Sequence, residues 1–116
     1  MSLGKQGETA AAQYLEAKGY DILTRNYRTR SGEIDLIAKQ STTIVFIEVK
    51  TRTSTEYGYP AEFVTYRKQQ KLLKAALFYL HTVRQDFSPA RFDVIEVLST
   101  PQGLTVKNHI VNAFGR

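Results

Sequence analysis

The sequence predicts an α/β fold, a mixed central β-sheet flanked by helices, and three observations lead there. Short apolar runs bounded by turn residues mark five strands. Two longer stretches place apolar residues at helical spacing. The second of these falls between the third and fourth strands, giving the order α-β-β-β-α-β-β. A helix between two strands permits parallel pairing, whereas the short links elsewhere impose antiparallel hairpins, so the sheet has to be mixed.

Residues 5–18 read as the first helix, with Ala11, Ala12, Tyr14 and Leu15 on one stripe and Gly19 as its stop. Residues 20–27 form a short strand ending in the polar cluster 28–32. Residues 34–38 and 44–50 are two strands joined by a polar link, which suggests a hairpin. A polar loop over 51–59 follows. Pro60 suits the first turn of a long helix reaching His81, since its missing N–H has no partner there anyway. That helix has an apolar stripe through Leu72, Ala76, Tyr79, Leu80 and Val83. Residues 91–98 and 104–111 are the last strands, split by a turn at 100–103. No repeat, low-complexity tract or long linker interrupts the chain, so 1–116 reads as a single domain.

Composition narrows the function classes. Leu, Ile, Val and Phe make up 31 of 116 residues, too many for a disordered chain, and no stretch approaches a membrane span. The absence of cysteine excludes disulfides, thiolate metal sites and cysteine nucleophiles. Residues 1–5 lack the apolar core of a signal peptide, so a cytoplasmic protein without a membrane partner is expected. The net charge is +5, and the segment 25–74 holds ten basic against five acidic residues. A basic middle of this kind suits a polyanion such as nucleic acid, although many ordinary domains are mildly basic. His81 and His109 have no companions at ligand spacing, and no phosphate-binding loop of the Gly-x-x-x-x-Gly-Lys type occurs.

The informative acids lie in the second and third strands. Alternation puts Ile44, Phe46, Glu48 and Lys50 on one face of a strand that is apolar on both sides, hence central. An even hairpin link, Ser41-Thr42 or residues 40–43, pairs residues whose numbers sum to 83 and sets Asp35 opposite Glu48. An odd link or a bulge would break that register. Two close carboxylates repel, and a hard divalent cation held by Asp35, Glu48 and the Val49 carbonyl would relieve them. Such an ion polarises a phosphoryl group, and Lys50 beside it could orient a water or stabilise the phosphorane. Glu8 shares the stripe of Ala11, Ala12 and Leu15, where an acid either reaches solvent at the helix start or completes a polar site. Gly4 and Gly7 beside it are costly in a helix unless something approaches closely. The duller alternative is an exposed Asp35 and a surface Glu48–Lys50 pair.

The run Gly4-x-x-Gly7-Glu8-x-x-Ala11-x-x-Tyr14-Leu15, then Asn26-Tyr27-Arg28, Gly32-Glu-Ile-Asp-Leu-Ile37 and Phe46-Ile-Glu-Val-Lys-Thr-Arg52, resembles the YraN-like family of small bacterial proteins. Arg91-Phe-Asp-Val94 and Asn112-Ala-Phe114 are similar to it as well. The resemblance implies a restriction-endonuclease-like core, related to Holliday-junction resolvases, whose signature is an acid followed by (Asp/Glu)-x-Lys. It implies that Asp35 and Glu48 bind Mg²⁺ or Mn²⁺, that Lys50 is the catalytic lysine and that Glu8 joins the metal shell. DNA repair or recombination is the implied setting.

Around this centre, Arg67, Lys71 and Lys74 at i, i+4, i+7, with Lys68, form a basic stripe that reads equally as phosphate contact or as a solvated helix face. Arg25, Arg28 and Arg30 could clamp a backbone, and Thr51 and Arg52 could touch the scissile phosphate. Tyr57, Tyr59 and Tyr66 could stack on bases or simply pack. Three readings follow: a Mg²⁺- or Mn²⁺-dependent endonuclease-like protein acting on DNA, a nucleic-acid-binding module without turnover, and a protein-interaction adaptor. A homodimer would suit so small a chain on a duplex.

Overall fold

A computed structural model of the chain describes residues 1–53 and 64–114. The elements run α1 (Leu3–Ala17), β1 (Asp21–Arg28), β2 (Glu33–Gln40), β3 (Thr43–Arg52), α2 (Tyr66–Thr82), β4 (Ala90–Thr100) and β5 (Gly103–Phe114). This is the predicted order. The Ser2 hydroxyl caps α1 by accepting the Lys5 N–H at 3.2 Å. The helix stops in a left-handed turn at Gly19, where the Gly19 and Tyr20 N–H groups return to the Glu16 and Leu15 carbonyls.

The second helix begins later than the sequence predicts. Pro60 and residues 54–59 of the expected loop lie outside the described residues, and the hydroxyl of Thr65 supplies the cap, accepting the Lys68 N–H at 3.2 Å. At the other end Arg84 takes the left-handed position (φ 58°) usually given to glycine. Val83 is therefore the C-cap and exposed, outside the buried stripe. Thr51 and Arg52 belong to β3, not to the loop.

The five strands form one sheet in the order β1-β2-β3-β4-β5, with β3 and β4 parallel and every other pair antiparallel. β3 is central, as its two-sided apolar pattern requires. Its alternation separates two cores. Ile44 and Phe46 join Ile37, Phe92 and Val94 under Leu72, Ala75, Ala76, Tyr79 and Leu80 of α2. Val45 and Ile47 join Leu36, Ile95 and Val97 under Ala11, Ala12 and Leu15 of α1. The helices thus cover opposite faces, giving the mixed sheet flanked by helices that the sequence predicts.

Two contacts fix how the outer elements sit. Gly7 of α1 lies so close to β3 that an added Cβ would fall 1.7 Å from Thr51 Oγ1, whereas nothing lies within 4 Å of one added at Gly4. On β5, the register shifts between Phe92 and Val94 around Asn112, which has φ 54°. The fully buried Asp93 of β4 fastens that irregularity. Its carboxylate accepts the Asn112 N–H at 3.0 Å, meets Arg91 Nε at 3.0 Å and lies 2.8 Å from His109 Nε2. His109 Nδ1 is in turn 3.0 Å from the Tyr14 hydroxyl of α1.

These contacts give two expectations. Gly7→Ala gains helix propensity but forces α1 from β3, and should destabilise by about 1–3 kcal/mol in urea unfolding, while Gly4→Ala should not. Burial opposes ionisation of Asp93, but the hydrogen bonds from His109, Arg91 and the Asn112 N–H outweigh it and hold its carboxyl below the usual range. Its stabilisation is therefore present above the ordinary carboxylate pKa of about 4 and disappears as pH falls through the lower folded value. Asp93→Asn should cost about 3 kcal/mol at pH 7, and thermal melts should show the gap to wild type closing in acid.

Candidate active site

The hairpin link is Ser41-Thr42, and the pairing with numbers summing to 83 runs from Gln40↔Thr43 to Leu36↔Ile47. One step further it sets Asp35 beside Glu48. There the ladder ends, and Asp35 Oδ2, instead of a backbone carbonyl, accepts the Val49 N–H at 2.8 Å. The Glu48 carboxyl is close enough to act on that of Asp35. Burial, then the neighbouring Glu48 carboxyl and its charge, push the Asp35 carboxyl up to about 8, against the Val49 N–H and Lys68, which favour ionisation. Two carboxylates this close repel unless a cation intervenes.

A cation from the chain itself is already near. Lys68, in the first turn of α2, brings Nζ within 2.6 Å of Glu48 Oε2, an oxygen otherwise shut off from solvent. The contact is one of charge, without hydrogen-bond alignment. By its spacing Lys68 reads as a phosphate contact, and its pairing with Glu48 is invisible in the sequence because the β3–α2 crossover and not local spacing produces it.

Glu8 arrives from the other helix. Gly7, pressed against Thr51, sets the depth of α1, and Glu8 follows it into the same cleft. Burial raises the Glu8 carboxyl, the charge of Asp35 raises it further, and Lys5 and the side chain of Asn26 act in the opposite sense. Glu8 Oε1 is 3.7 Å from Lys5 Nζ and has no hydrogen-bond partner. Thr51 Oγ1 is likewise buried and unsatisfied.

The cleft holding these groups has a volume of about 420 Å³. Gly4, Glu8, Asp35, Glu48, Val49, Lys50 and Thr51 line it, with Lys68, Lys71 and Leu72 of α2 contributing a further wall. All four residues predicted for the centre, Glu8, Asp35, Glu48 and Lys50, thus meet in one place. Among the described residues no three Asp, Glu or His side chains converge as a self-sufficient metal cage. Mg²⁺ does not need one: one or two carboxylates with waters and substrate phosphate oxygens are its ordinary shell. The close Asp35–Glu48 pair and the unsatisfied Glu8 Oε1 fit such an ion.

The surrounding cations divide into two groups. Arg28 is paired with Glu33 at 2.8 Å, Arg25 donates to Thr9 at 2.8 Å, and Arg52 pairs with the buried Glu96, which also accepts the Asn108 amide. Arg30, Arg67, Lys71 and Lys74 are not engaged in an ion pair among the described residues. Thr65, Arg67, Lys68 and Lys71 line a hollow of about 530 Å³ next to the cleft. Tyr66 is exposed, and Tyr57 and Tyr59 lie outside the described residues. Asp93 and Glu96 escaped sequence reasoning, though two acids within the apolar run 92–98 were a visible signal of buried partners.

Comparison with known proteins supplies the family. The model of the uncharacterised protein family UPF0102 matches residues 7–97. A UPF0102 protein of Caldanaerobacter subterraneus subsp. tengcongensis is 50% identical over 115 residues, covering 97% of this chain and 94% of that one. UPF0102 proteins of Syntrophomonas wolfei and Geobacter metallireducens are each 51% identical, again over 97% of this chain and over 96% and 92% of their own. Among solved structures, SfsA of Pyrococcus furiosus in complex with Ca²⁺ aligns with a TM-score of 0.45 at 15% identity, over 93% of this chain and 62% of that one. With its family model matched over residues 7–97 and its relatives half identical along nearly the whole length, the chain belongs to the uncharacterised protein family UPF0102, the YraN-like family its motifs resemble.

Proposed function

We propose that this protein is a Mg²⁺- or Mn²⁺-dependent nuclease that hydrolyses phosphodiester bonds of DNA in the cytoplasm. The observation behind the proposal is the convergence of Glu8, Asp35, Glu48 and Lys50, from α1, β2 and β3, on one cleft. Asp35, Glu48 and the Val49 carbonyl would hold the ion, and Glu8 adds negative charge behind them. When bound, the ion supplies Lewis-acid polarisation of a phosphoryl oxygen. The Val49 N–H holds Asp35 in place through its 2.8 Å bond. Lys50, one residue beyond, orients the attacking water or offsets the charge that builds on the phosphorane. Lys68 has to leave Glu48, or share it, for the ion to enter, and is then free to meet a phosphate oxygen. Arg67 and Lys71 position the backbone without reading bases.

A nucleic-acid-binding module without turnover is the second reading, and the Lys68–Glu48 contact favours it. A lysine that stays on Glu48 neutralises the pair and leaves no place for a metal.

Two measurements decide between them. Supercoiled plasmid and a four-way junction should be cleaved in Mg²⁺ or Mn²⁺, not in EDTA. Lys50→Ala and Asp35→Ala should each lower the rate by roughly 10²- to 10⁴-fold. Equal inertness of wild type and both variants, with DNA still bound, would favour the module. Independently of activity, Mg²⁺ should raise the melting temperature of the wild type in a saturable way, and Asp35→Asn should abolish the shift. A Mg²⁺-insensitive wild type would remove the metal from the mechanism.

A further inference from the structure

Beside the cleft lies a hollow that the proposed hydrolysis does not use. Its volume is about 520 Å³, and it is lined by Thr29, Arg30 and Ser31 of the β1–β2 link and by Lys74 and Phe78 of α2. The link is a closed turn. The Thr29 hydroxyl donates to the Gly32 carbonyl at 3.0 Å and accepts the Ser31 and Gly32 N–H groups at 3.1 Å, so Arg30 is presented on a fixed support. Gly32 rests against α2, where an added Cβ would lie 3.3 Å from that of Lys71. Gly32 and Lys71 line the cleft while their neighbours Ser31 and Lys74 line the hollow, so the link and α2 border both concavities.

Phe78 is 58% exposed, on a helix whose inner face is already filled by Ala75, Ala76, Tyr79 and Leu80. An exposed phenyl ring flanked by Arg30 and Lys74, neither in an ion pair among the described residues, is poor packing chemistry. It suits an unpaired nucleotide: the ring offers a face to a base, and the two cations meet the adjoining phosphates. A duplex keeps its bases stacked on one another and has none to offer. From Lys68 at the cleft, Lys71, Lys74 and Phe78 follow along α2 over about 15 Å at 1.5 Å per residue.

We infer that a single-stranded DNA segment runs from the cleft along α2 and stacks a base on Phe78, with its phosphates on Lys71, Lys74 and Arg30. The inference rests on the proposed nuclease reading and refines its substrate, favouring DNA with unpaired flanks over uniform duplex.

The chain has no tryptophan, so Phe78→Trp introduces a sole indole fluorophore at the position in question. Titration with a short oligodeoxythymidylate in EDTA should quench its emission saturably, and a blunt duplex should not. Phe78→Ala, at an exposed site, should keep the wild-type circular dichroism yet weaken oligodeoxythymidylate binding by roughly tenfold, leaving duplex binding unchanged. Unchanged emission where anisotropy reports bound oligonucleotide would overturn the inference, as would absence of binding. Emission that follows protein concentration instead would also overturn it and assign the face to a second copy of the chain. Cleavage by the same F78W protein in Mg²⁺ is read in parallel. Quenching without cleavage leaves the strand path standing and removes the nuclease, and cleavage without quenching does the reverse.

Discussion

Two carboxyl groups, Asp35 and Glu48, meet where β2 and β3 stop pairing, and much of the molecule is arranged around that contact. Ionised together in a buried place they repel, so the fold holds them by two devices: the Val49 N–H on Asp35 and the ammonium of Lys68 on Glu48. The contact and each device have their own structural requirements. The hairpin register has to bring the acids level, the ladder has to end so that Val49 can turn its N–H to a side chain, and the crossover has to return α2 with its first turn over β3. On the proposed reading, the acids are kept in a buried place that opposes their ionisation because the site uses them.

The first helix shows the same logic in a single dipeptide. Gly7 lets α1 approach β3 until Thr51 fills the space a Cβ would occupy, and Glu8 is carried by that approach to the rim of the acidic pair. A larger residue at 7 would lift the helix and withdraw Glu8 with it. The glycine and the glutamate are adjacent because one sets the depth that the other requires.

Much of this was legible from the residues alone. Alternation in 44–50 separates two faces, and two helices are available to cover them. An even link makes Asp35 meet Glu48, but the residues alone leave an odd link or a bulge open, and the observed Gln40↔Thr43 pairing decides it. What could not be read has physical reasons. Pro60 and Thr65 are both good helix starts, and only the observed cap at Thr65 distinguishes them. Lys68 looks like one more cation on a basic stripe until the crossover aims it at Glu48. The roles of Asp93 and Glu96 depend on His109, Asn112, Asn108 and Arg52, partners brought together by bulges in β5 and by the parallel β3–β4 pair, which local periodicity does not encode.

The charges reveal a division that the net value conceals. Arg28, Arg52, Lys68 and Arg91 are each matched to an acid: Glu33, Glu96, Glu48 and Asp93. Arg52, Lys68 and Arg91 meet buried acids and hold the fold and the site together, whereas Arg28–Glu33 is an exposed pair that contributes little. Among the described residues, four of the cations outside these ion pairs, Arg67, Lys71, Lys74 and Arg30, lie along α2 and the link facing it, next to a cleft whose own acids repel a polyanion. On the proposed reading the two requirements are separate: these four cations bring the phosphate backbone to the cleft, and a metal on the acids lets it enter. Attraction along α2 is exposed and therefore weakened by salt, whereas the buried acid pair is shielded from it. Binding and turnover then respond to different variables, ionic strength for the first and metal concentration for the second.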